Sequence, residues 1–160
     1  MSFDDRARVR DDLDLQEGRL GVPLLDDDGV ASLLASSRRI AVIGASAKPG
    51  RPSNGVIHYL AAVGYDVVPI NPIETVIDGR ACYPTLADAV AAEGPIDIVD
   101  VFRRSELCPP HAIEAVTVGA RCLWLQLGIV NAEAARIAHR GGLSVVMDRC
   151  TKIEHARLLR

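Results

Sequence analysis

A loop between residues 44 and 55 combines small residues, hydroxyls and cations in a pattern typical of anion binding. It reads Gly-Ala-Ser-Ala-Lys-Pro-Gly-Arg-Pro-Ser-Asn-Gly and joins an apolar run to a helical pattern. Small side chains let an anion reach the backbone amides, and the helix N-terminus adds about half a positive charge. Lys48 and Arg51 carry charge of the matching sign, and the Ser53 hydroxyl can donate a hydrogen bond. The loop therefore predicts a phosphate-binding site.

Two common nucleotide-binding motifs do not match this loop. Gly-x-Gly-x-x-Gly is absent, and the Walker spacing fails because five residues separate Gly44 from Gly50, with Arg-Pro following. The second apolar run ends in Asn71-Pro72, whereas an NAD site has an acid there for the ribose hydroxyls. A neutral residue tolerates a phosphorylated ribose, and coenzyme A carries a 3′-phosphate. The alternative interpretation is a flexible loop, with Asn71-Pro72 as a simple strand stop.

Two further apolar runs end in residues that suit a nucleotide. Phe102, Arg103 and Arg104 follow one run, where an arginine can bind a phosphate with two hydrogen bonds and Phe102 can pack beside an adenine. The alternative is a solvated pair of arginines beside a core phenylalanine. Gln126 and Gly128 lie at the end of the next run and are expected to contact the ligand, whereas Trp124 lies within that run and is expected in the core.

One cluster has residue types that could carry out a reaction: Asp148, Arg149 and Cys150 with Glu154 and His155. A cysteine beside a cation and ahead of a helix is a candidate nucleophile, for which His155 would be the base. The alternative is a structural turn in which Cys150 is buried and inert, and we assign no catalytic residue. The histidines lack metal-ligand spacing, so no metal site is expected.

Alternating strand and helix patterns must position these loops. Apolar runs predict strands over 40–44, 65–70, 96–102, 121–127 and 143–147, and helical patterns cover 53–63, 85–92, 109–118, 132–139 and 151–159. Thr85 and Asn131 are expected to cap two of the helices. Continuous apolar strands alternating with helices predict a single α/β domain with a Rossmann-like, doubly wound parallel sheet in three αβα layers. Ligands bind such a sheet at the C-terminal strand ends, where these loops lie.

Length, charge and cysteine usage limit the possible functions. A chain of 160 residues fits one domain, and a formal net charge of −3 argues against nucleic-acid binding, which needs a basic surface. The four cysteines form no Cys-x-x-Cys pair, and the chain lacks a signal-peptide pattern. It also lacks an apolar run long enough to span a bilayer. These features predict a cytoplasmic protein with reduced thiols that does not bind membranes.

The first 37 residues form an acidic arm that differs from the rest of the chain. They hold nine acidic and four basic residues, whereas residues 38–160 hold twelve acidic and fourteen basic ones. Residues 1–29 are turn-rich and weakly periodic, and Asp28 is expected to cap a short helix that runs to Ala35. We therefore predict an arm over residues 1–37 and a nucleotide-binding domain over residues 38–160. The arm would pack on the edge of the domain or on a partner subunit.

Five segments of the chain, taken in order, form a pattern that can be compared with known families. They are Val42-Ile-Gly-Ala-Ser-Ala-Lys-Pro-Gly-Arg-Pro-Ser53, Val68-Pro-Ile-Asn-Pro72, Asp97-Ile-Val-Asp-Val-Phe-Arg-Arg104, Leu123-Trp-Leu-Gln-Leu-Gly128 and Val146-Met-Asp-Arg-Cys-Thr-Lys-Ile-Glu-His155. Together they resemble the coenzyme A-binding domain family in its small, free-standing bacterial form. The domain is also similar to the N-terminal nucleotide-binding domain of the succinyl-CoA synthetase α subunit. The resemblance implies that the glycine loop, the end of the second strand and the loop after the next long strand hold coenzyme A.

This resemblance implies a protein that binds coenzyme A or an acyl-CoA and has no established reaction. The turn Asp148-Arg-Cys-Thr departs from the Pro-Asn-Cys-Pro-Gly-like turn of the synthetase, which argues against ligase activity. The alternatives are an NAD(P)-binding oxidoreductase or redox-sensing domain and an acyl-CoA-dependent enzyme that uses Cys150 and His155. A homo-oligomer or a protein partner is compatible with each. The candidate cofactor-binding residues are Gly44, Ala45, Ser46, Lys48, Arg51, Ser53, Asn71, Pro72, Phe102, Arg103, Arg104 and Gln126.

Overall fold

The computed structural model describes residues 1–159, which form alternating strands and helices. The strands are β1 (Arg39–Ile43), β2 (Asp66–Ile70), β3 (Val76–Ile77), β4 (Arg80–Ala81), β5 (Ile98–Val101), β6 (Cys122–Leu125) and β7 (Ser144–Val146). The helices are α1 (Phe3–Gln16), α2 (Asp27–Ser36), α3 (Pro52–Ala62), α4 (Leu86–Glu93), α5 (Cys108–Thr117), α6 (Ala132–Arg140) and α7 (Thr151–Leu158). A 3-10 turn over Ser105–Leu107 precedes α5. None of the helices in this part of the chain has the length and apolarity needed to cross a bilayer.

Five parallel strands form the central sheet in the order β2-β1-β5-β6-β7. The chain moves outward from β1 to β2 and then crosses to the other side of β1 to continue with β5. Helices α4, α5 and α6 pack on one face of the sheet, and α2, α3 and α7 pack on the other. This arrangement confirms the predicted Rossmann-like α/β fold of a single domain in three layers. The reversal in strand order opens a crevice between the carboxyl ends of β1 and β5, where ligands bind in such sheets.

The strands of the sheet are mostly apolar because both faces of the sheet are covered, and Asp100 on β5 is a buried polar exception. In β1, Ile40 and Val42 pack into the cluster with α2, α3 and α7, whereas Ala41 and Ile43 pack into the cluster on the opposite face. Trp124 is fully buried, and its indole Nε1 donates a hydrogen bond to the carbonyl oxygen of Arg149 at 2.7 Å. Its position in the core agrees with the prediction, and the buried indole N–H is satisfied.

The N-terminal segment contains a helix that the sequence analysis did not predict. Residues 3–16 of the supposed turn-rich arm form α1, whose start is fixed by Ser2 and Asp5. The Ser2 hydroxyl accepts a hydrogen bond from the Asp5 amide at 3.0 Å, and the Asp5 carboxylate accepts one from the Ser2 amide at 3.1 Å. This capping box satisfies two amides that the helix leaves unpaired. Periodicity could not reveal α1 because the helix buries no residue completely.

The structure confirms two of the three predicted helix caps and corrects the third. Thr85 and Asn131 cap α4 and α6 as predicted. The cap of α2 is Asp26 rather than Asp28, because the Asp26 carboxylate accepts from the Gly29 amide at 2.8 Å. Asp28 lies instead within the first turn of α2. The division of the chain at residue 37 into an arm and a domain stays a prediction.

A small hairpin between β2 and α4 is a second element that the sequence analysis missed. Strands β3 and β4 pair antiparallel through the turn Asp78-Gly79, whose residues have φ angles of 49° and 77°. Positive φ at both central residues is the geometry that favours Asp-Gly in two-residue hairpins. The dipeptide is thus the signal that could have identified the hairpin, although its two-residue strands are too short for a periodic pattern.

Candidate functional site

A cavity of about 730 Å³ opens at the carboxyl ends of β1, β5 and β6. Its volume lies within the range of roughly 300–1,000 Å³ that small-molecule sites occupy. The candidate residues that line it are Gly44, Ala45, Ser46, Lys48, Arg51, Ser53, Asn71, Phe102, Arg103, Arg104 and Gln126. Pro72 is exposed and does not line the cavity. The wall also includes Arg8, Gly128 and Cys150, of which Arg8 was not a candidate.

Gly44 brings the two central strand ends together at the base of this cavity. It follows β1 directly and has a φ of 81°, in the left-handed region that side chains disfavour. The Phe102 amide donates to the Ile43 carbonyl oxygen at 2.9 Å, so the backbone after β5 runs against the start of the β1–α3 loop. The loop begins, as a result, in the crevice at the reversal of strand order.

The side chain of Asn71 holds this loop in place. Its Nδ2 donates to the carbonyl oxygen of Ala45 at 3.0 Å, and its Oδ1 accepts from the amides of Ile73 and Glu74 at 2.8 and 3.0 Å. These bonds leave one N–H of the amide for another partner. Asn71 therefore positions the loop from the end of β2, in addition to lining the cavity.

Asn54 connects the same loop to the β3–β4 hairpin. It is buried at the start of α3, and its Nδ2 donates to the Ser46 carbonyl oxygen at 3.0 Å and to Asp78 Oδ2 at 2.7 Å. The two hydrogens of the amide are thus both used within the protein. The hairpin supports the cavity from outside the main sheet, which the sequence analysis did not anticipate.

Within residues 1–159, three cations at the cavity are left without an acidic partner. Among residues 1–159, neither Lys48 nor Arg51 nor Arg103 forms a salt bridge. Arg104 lies 3.6 Å from Glu106 in an exposed pair, which contributes little attraction. A concave surface with unneutralised positive charge attracts anions.

The hydroxyl of Ser53 is also free to bind a ligand. Ser53 is only 3% exposed and lines the cavity in the first turn of α3. Among the described residues, its side chain has no hydrogen-bond partner. Arg51, which precedes the helix, provides no side-chain cap either. The Ser53 hydroxyl is therefore available at the N-terminus of α3, the end of a helix that favours anions.

Gln126 is held from behind by a buried polar network. Its Nε2 donates to Asp100 Oδ2 at 3.3 Å and to Thr151 Oγ1 at 3.2 Å, and its Oε1 accepts from the Thr151 amide at 3.3 Å. The Thr151 hydroxyl donates to Asp100 Oδ2 at 2.9 Å. Burial raises the pKa of the Asp100 carboxyl well above its usual value. Gln126 thus lines the cavity with its polar atoms already engaged by Asp100 and Thr151, an engagement that residue type and spacing did not indicate.

Of the candidate nucleophile and base in the reactive cluster, the structure brings only the nucleophile to the cavity. Cys150 is half-buried and lines the cavity, whereas His155 does not line it. The Nδ1 atom of His155 lies 2.8 Å from the hydroxyl of Tyr59 on α3. Burial raises the pKa of the Cys108 thiol to about 12 and also raises that of Cys122. These two thiols are therefore held in the unreactive protonated form.

Known proteins provide a comparison for the whole domain. A family model for a CoA binding domain matches residues 38–156. The uncharacterized protein YneT of Bacillus subtilis (strain 168) is 39% identical over 127 residues, which span 79% of this chain and 92% of YneT.

Solved structures agree with this comparison. A hypothetical protein from Pyrococcus horikoshii OT3 is 38% identical with a TM-score of 0.81, covering 85% of this chain and 94% of that chain. Cell-free ID.343 from Thermus thermophilus is 34% identical with a TM-score of 0.78, covering 84% of this chain and all of that chain. Since the family model matches most of the sequence, the chain belongs to the CoA binding domain family.

Proposed function

We propose that the protein binds coenzyme A or an acyl-CoA in this cavity, as a cytosolic binding module without a reaction of its own. The observation that carries the proposal is the group of unpaired donors around one concave site. Lys48, Arg51 and Arg103 lack acidic partners among residues 1–159, and the buried Ser53 hydroxyl faces the same space. A nucleotide with several phosphates would neutralise these cations.

The charged donors at the cavity can supply much of the binding free energy of a micromolar complex. A micromolar dissociation constant corresponds to about −8.2 kcal/mol. A hydrogen bond to a charged group contributes about 1.5–3 kcal/mol, and a helix N-terminus adds about 0.3–1 kcal/mol. Three cations and the start of α3 therefore supply roughly half or more of that free energy. Phe102 and Ile153 add apolar surface to the cavity wall for the rest of the ligand.

The end of β2 favours coenzyme A over NAD. Asn71 stands where an NAD site has its ribose-binding acid, and its Oδ1 is occupied by backbone amides. Because residue 71 is a neutral asparagine and not an acid, it does not repel the 3′-phosphate of coenzyme A. Titration calorimetry of the full chain with coenzyme A, dephospho-coenzyme A and NAD tests this preference. We expect coenzyme A to bind tightest, and a preference for NAD or indifference to the 3′-phosphate would contradict the proposal.

Cys150 provides a test of the catalytic alternative. Because His155 is hydrogen-bonded to Tyr59 and lies outside the cavity lining, the thiol lacks the base that the sequence suggested. We expect Cys150→Ser to bind coenzyme A as the natural protein does, and the natural protein to leave acetyl-CoA unchanged. Turnover of acetyl-CoA that disappears in Cys150→Ser would show that the protein is an enzyme.

A further inference from the structure

Helix α1 lies against the same edge of the sheet as the cavity. The Asp11 carboxylate accepts a hydrogen bond from the amide of Ala132, at the start of α6, at 2.9 Å. The helix also contacts the 3-10 turn over Ser105–Leu107, which follows Arg104. The helix is therefore docked at the start of α6 and at the turn that precedes α5.

This docking brings Arg8 to the cavity wall. Arg8 lines the cavity together with the cations of the β1–α3 loop and of the segment after β5. Its nearest acidic partner is Asp5 at 3.7 Å, and the side chains of the pair are 51% and 48% exposed. Such an exposed pair contributes little, so it does not hold the guanidinium away from a bound anion. Asp5 is also engaged with the Ser2 amide and hydroxyl at the start of the helix.

The remaining arginines of α1 do not share this position. Arg6 and Arg10 are exposed on the same helix and do not line the cavity. Arg8 is thus distinguished by its place on the helix rather than by the overall charge of the segment. The family model begins at residue 38, so α1 lies outside the part of the chain that it matches.

From this placement we infer that Arg8 is a ligand-binding residue, through which α1 contributes a phosphate contact to the nucleotide site. The inference rests on the proposed function, since the phosphate is that of bound coenzyme A. Phosphates are bound by arginine with two parallel hydrogen bonds, and the exposed guanidinium of Arg8 has donors available for them. Asp11 acts as a positioning residue, because its bond to Ala132 holds the helix at the cavity.

Calorimetry on Arg8→Ala, with Arg6→Ala and Arg10→Ala as matched controls, tests the inference. All three changes remove one exposed arginine from the same helix. We expect Arg8→Ala to weaken coenzyme A binding about 10-fold or more, the scale of one lost charge-assisted hydrogen bond. Both controls should stay within about twofold of the natural protein, and Arg8→Lys should recover part of the loss because the charge remains. Thermal unfolding of each variant establishes that the fold is retained.

Repeating the titration with dephospho-coenzyme A identifies the phosphate. If the effect of Arg8→Ala disappears with this ligand, Arg8 binds the 3′-phosphate; if the effect persists, it binds the diphosphate. Asp11→Ala, which removes the oxygen that accepts from the Ala132 amide, should also weaken binding, and in the Arg8→Ala background it should cause no additional loss. Equal affinity of Arg8→Ala and the controls would overturn the inference and leave the proposed function intact. Failure of the natural protein to bind coenzyme A would overturn both.

Discussion

The carbonyl oxygen of Phe102 lies 2.5 Å from the point that a Cβ atom on Gly44 would occupy. A Cβ atom cannot approach a carbonyl oxygen so closely, so a side chain at position 44 would push the ends of β1 and β5 apart. The φ of 81° at Gly44 independently disfavours any side chain. The base of the cavity therefore depends on glycine for two separate reasons, one conformational and one steric.

We expect Gly44→Ala to lower the free energy of unfolding by at least about 1–3 kcal/mol, the usual cost of one strained backbone position. It should also weaken coenzyme A binding, because the strand ends that shape the cavity must move. Gly50→Ala is the matched control, since no atom lies within 4 Å of its Cβ position and its φ is not in the left-handed region. Urea unfolding measures both variants. A similar loss in both would show that the loop, rather than the contact with Phe102, is sensitive.

Removing a single cation should weaken binding without unfolding the protein. We expect Lys48→Ala and Arg103→Ala each to reduce the free energy of coenzyme A binding by about 1–3 kcal/mol, because each loses a charge-assisted contact with phosphate. Lys152→Ala is the control for lysine removal, since the Lys152 ammonium lies 5.7 Å from the ring centroid of Tyr59 and outside the cavity lining. Calorimetry at fixed salt makes the comparison. Natural affinity in both cavity variants would mean that the ligand binds elsewhere.

Ser53 and Thr85 should separate binding from stability. The Ser53 hydroxyl has no partner within the described chain, so Ser53→Ala should leave unfolding almost unchanged and weaken binding by about 0.5–1.5 kcal/mol. The Thr85 hydroxyl accepts from the Asp88 amide at 3.1 Å, so Thr85→Ala should cost about 0.5–2 kcal/mol of stability and no affinity. Chemical unfolding and calorimetry on the two variants give both readouts. A stability loss in Ser53→Ala with unchanged affinity would assign its hydroxyl to the fold.

Hydrophobic periodicity is sufficient to predict the strands of the sheet but not the N-terminal helix, because the two differ in how much they bury. The strands of the sheet are buried on both faces, so most of their residues must be apolar and the pattern is visible even in β5, which includes the buried Asp100. Helix α1 buries no residue completely, and its start is fixed by the local pair Ser2 and Asp5. Its contacts with the domain include the partly buried Leu15, which packs against the core, and the hydrogen bond between Asp11 and Ala132. These contacts depend on where the core and α6 lie in space, which no periodicity reports.

The same distinction applies to the individual residues of the candidate site. Because the cavity is at the carboxyl edge of a parallel sheet, strand ends identify which loops reach it. Whether a polar atom in one of these loops is free to bind a ligand depends on hydrogen-bond partners far along the chain. Asn71 bonds to Ala45, 26 residues away, and Gln126 bonds to Thr151, 25 residues away, whereas Ser53 has no partner among residues 1–159. Residue type and spacing alone do not show which of these three side chains has a polar atom free to bind a ligand.

Asp100 should make the stability of the protein depend on pH. It is completely buried on β5, and one of its oxygens, Oδ1, has no hydrogen-bond partner within residues 1–159. Burial raises the pKa of its carboxyl, so the folded protein keeps a proton that the unfolded chain releases above about pH 4. Stability from this group is complete below the unfolded pKa and decreases as the pH rises toward the folded pKa.

Asp100→Asn removes that titration while retaining an oxygen that can accept from Thr151. We therefore expect the unfolding free energy of the natural protein, relative to the variant, to decrease as the pH rises from 4. The slope should approach about 1.4 kcal/mol per pH unit while only the unfolded carboxyl is ionised. Urea unfolding of both proteins between pH 4 and 8 measures this difference, with the exposed Glu133→Gln as the control. A difference that does not change with pH would mean that Asp100 is already ionised in the folded state, and that Gln126 is held by a charged rather than a neutral partner.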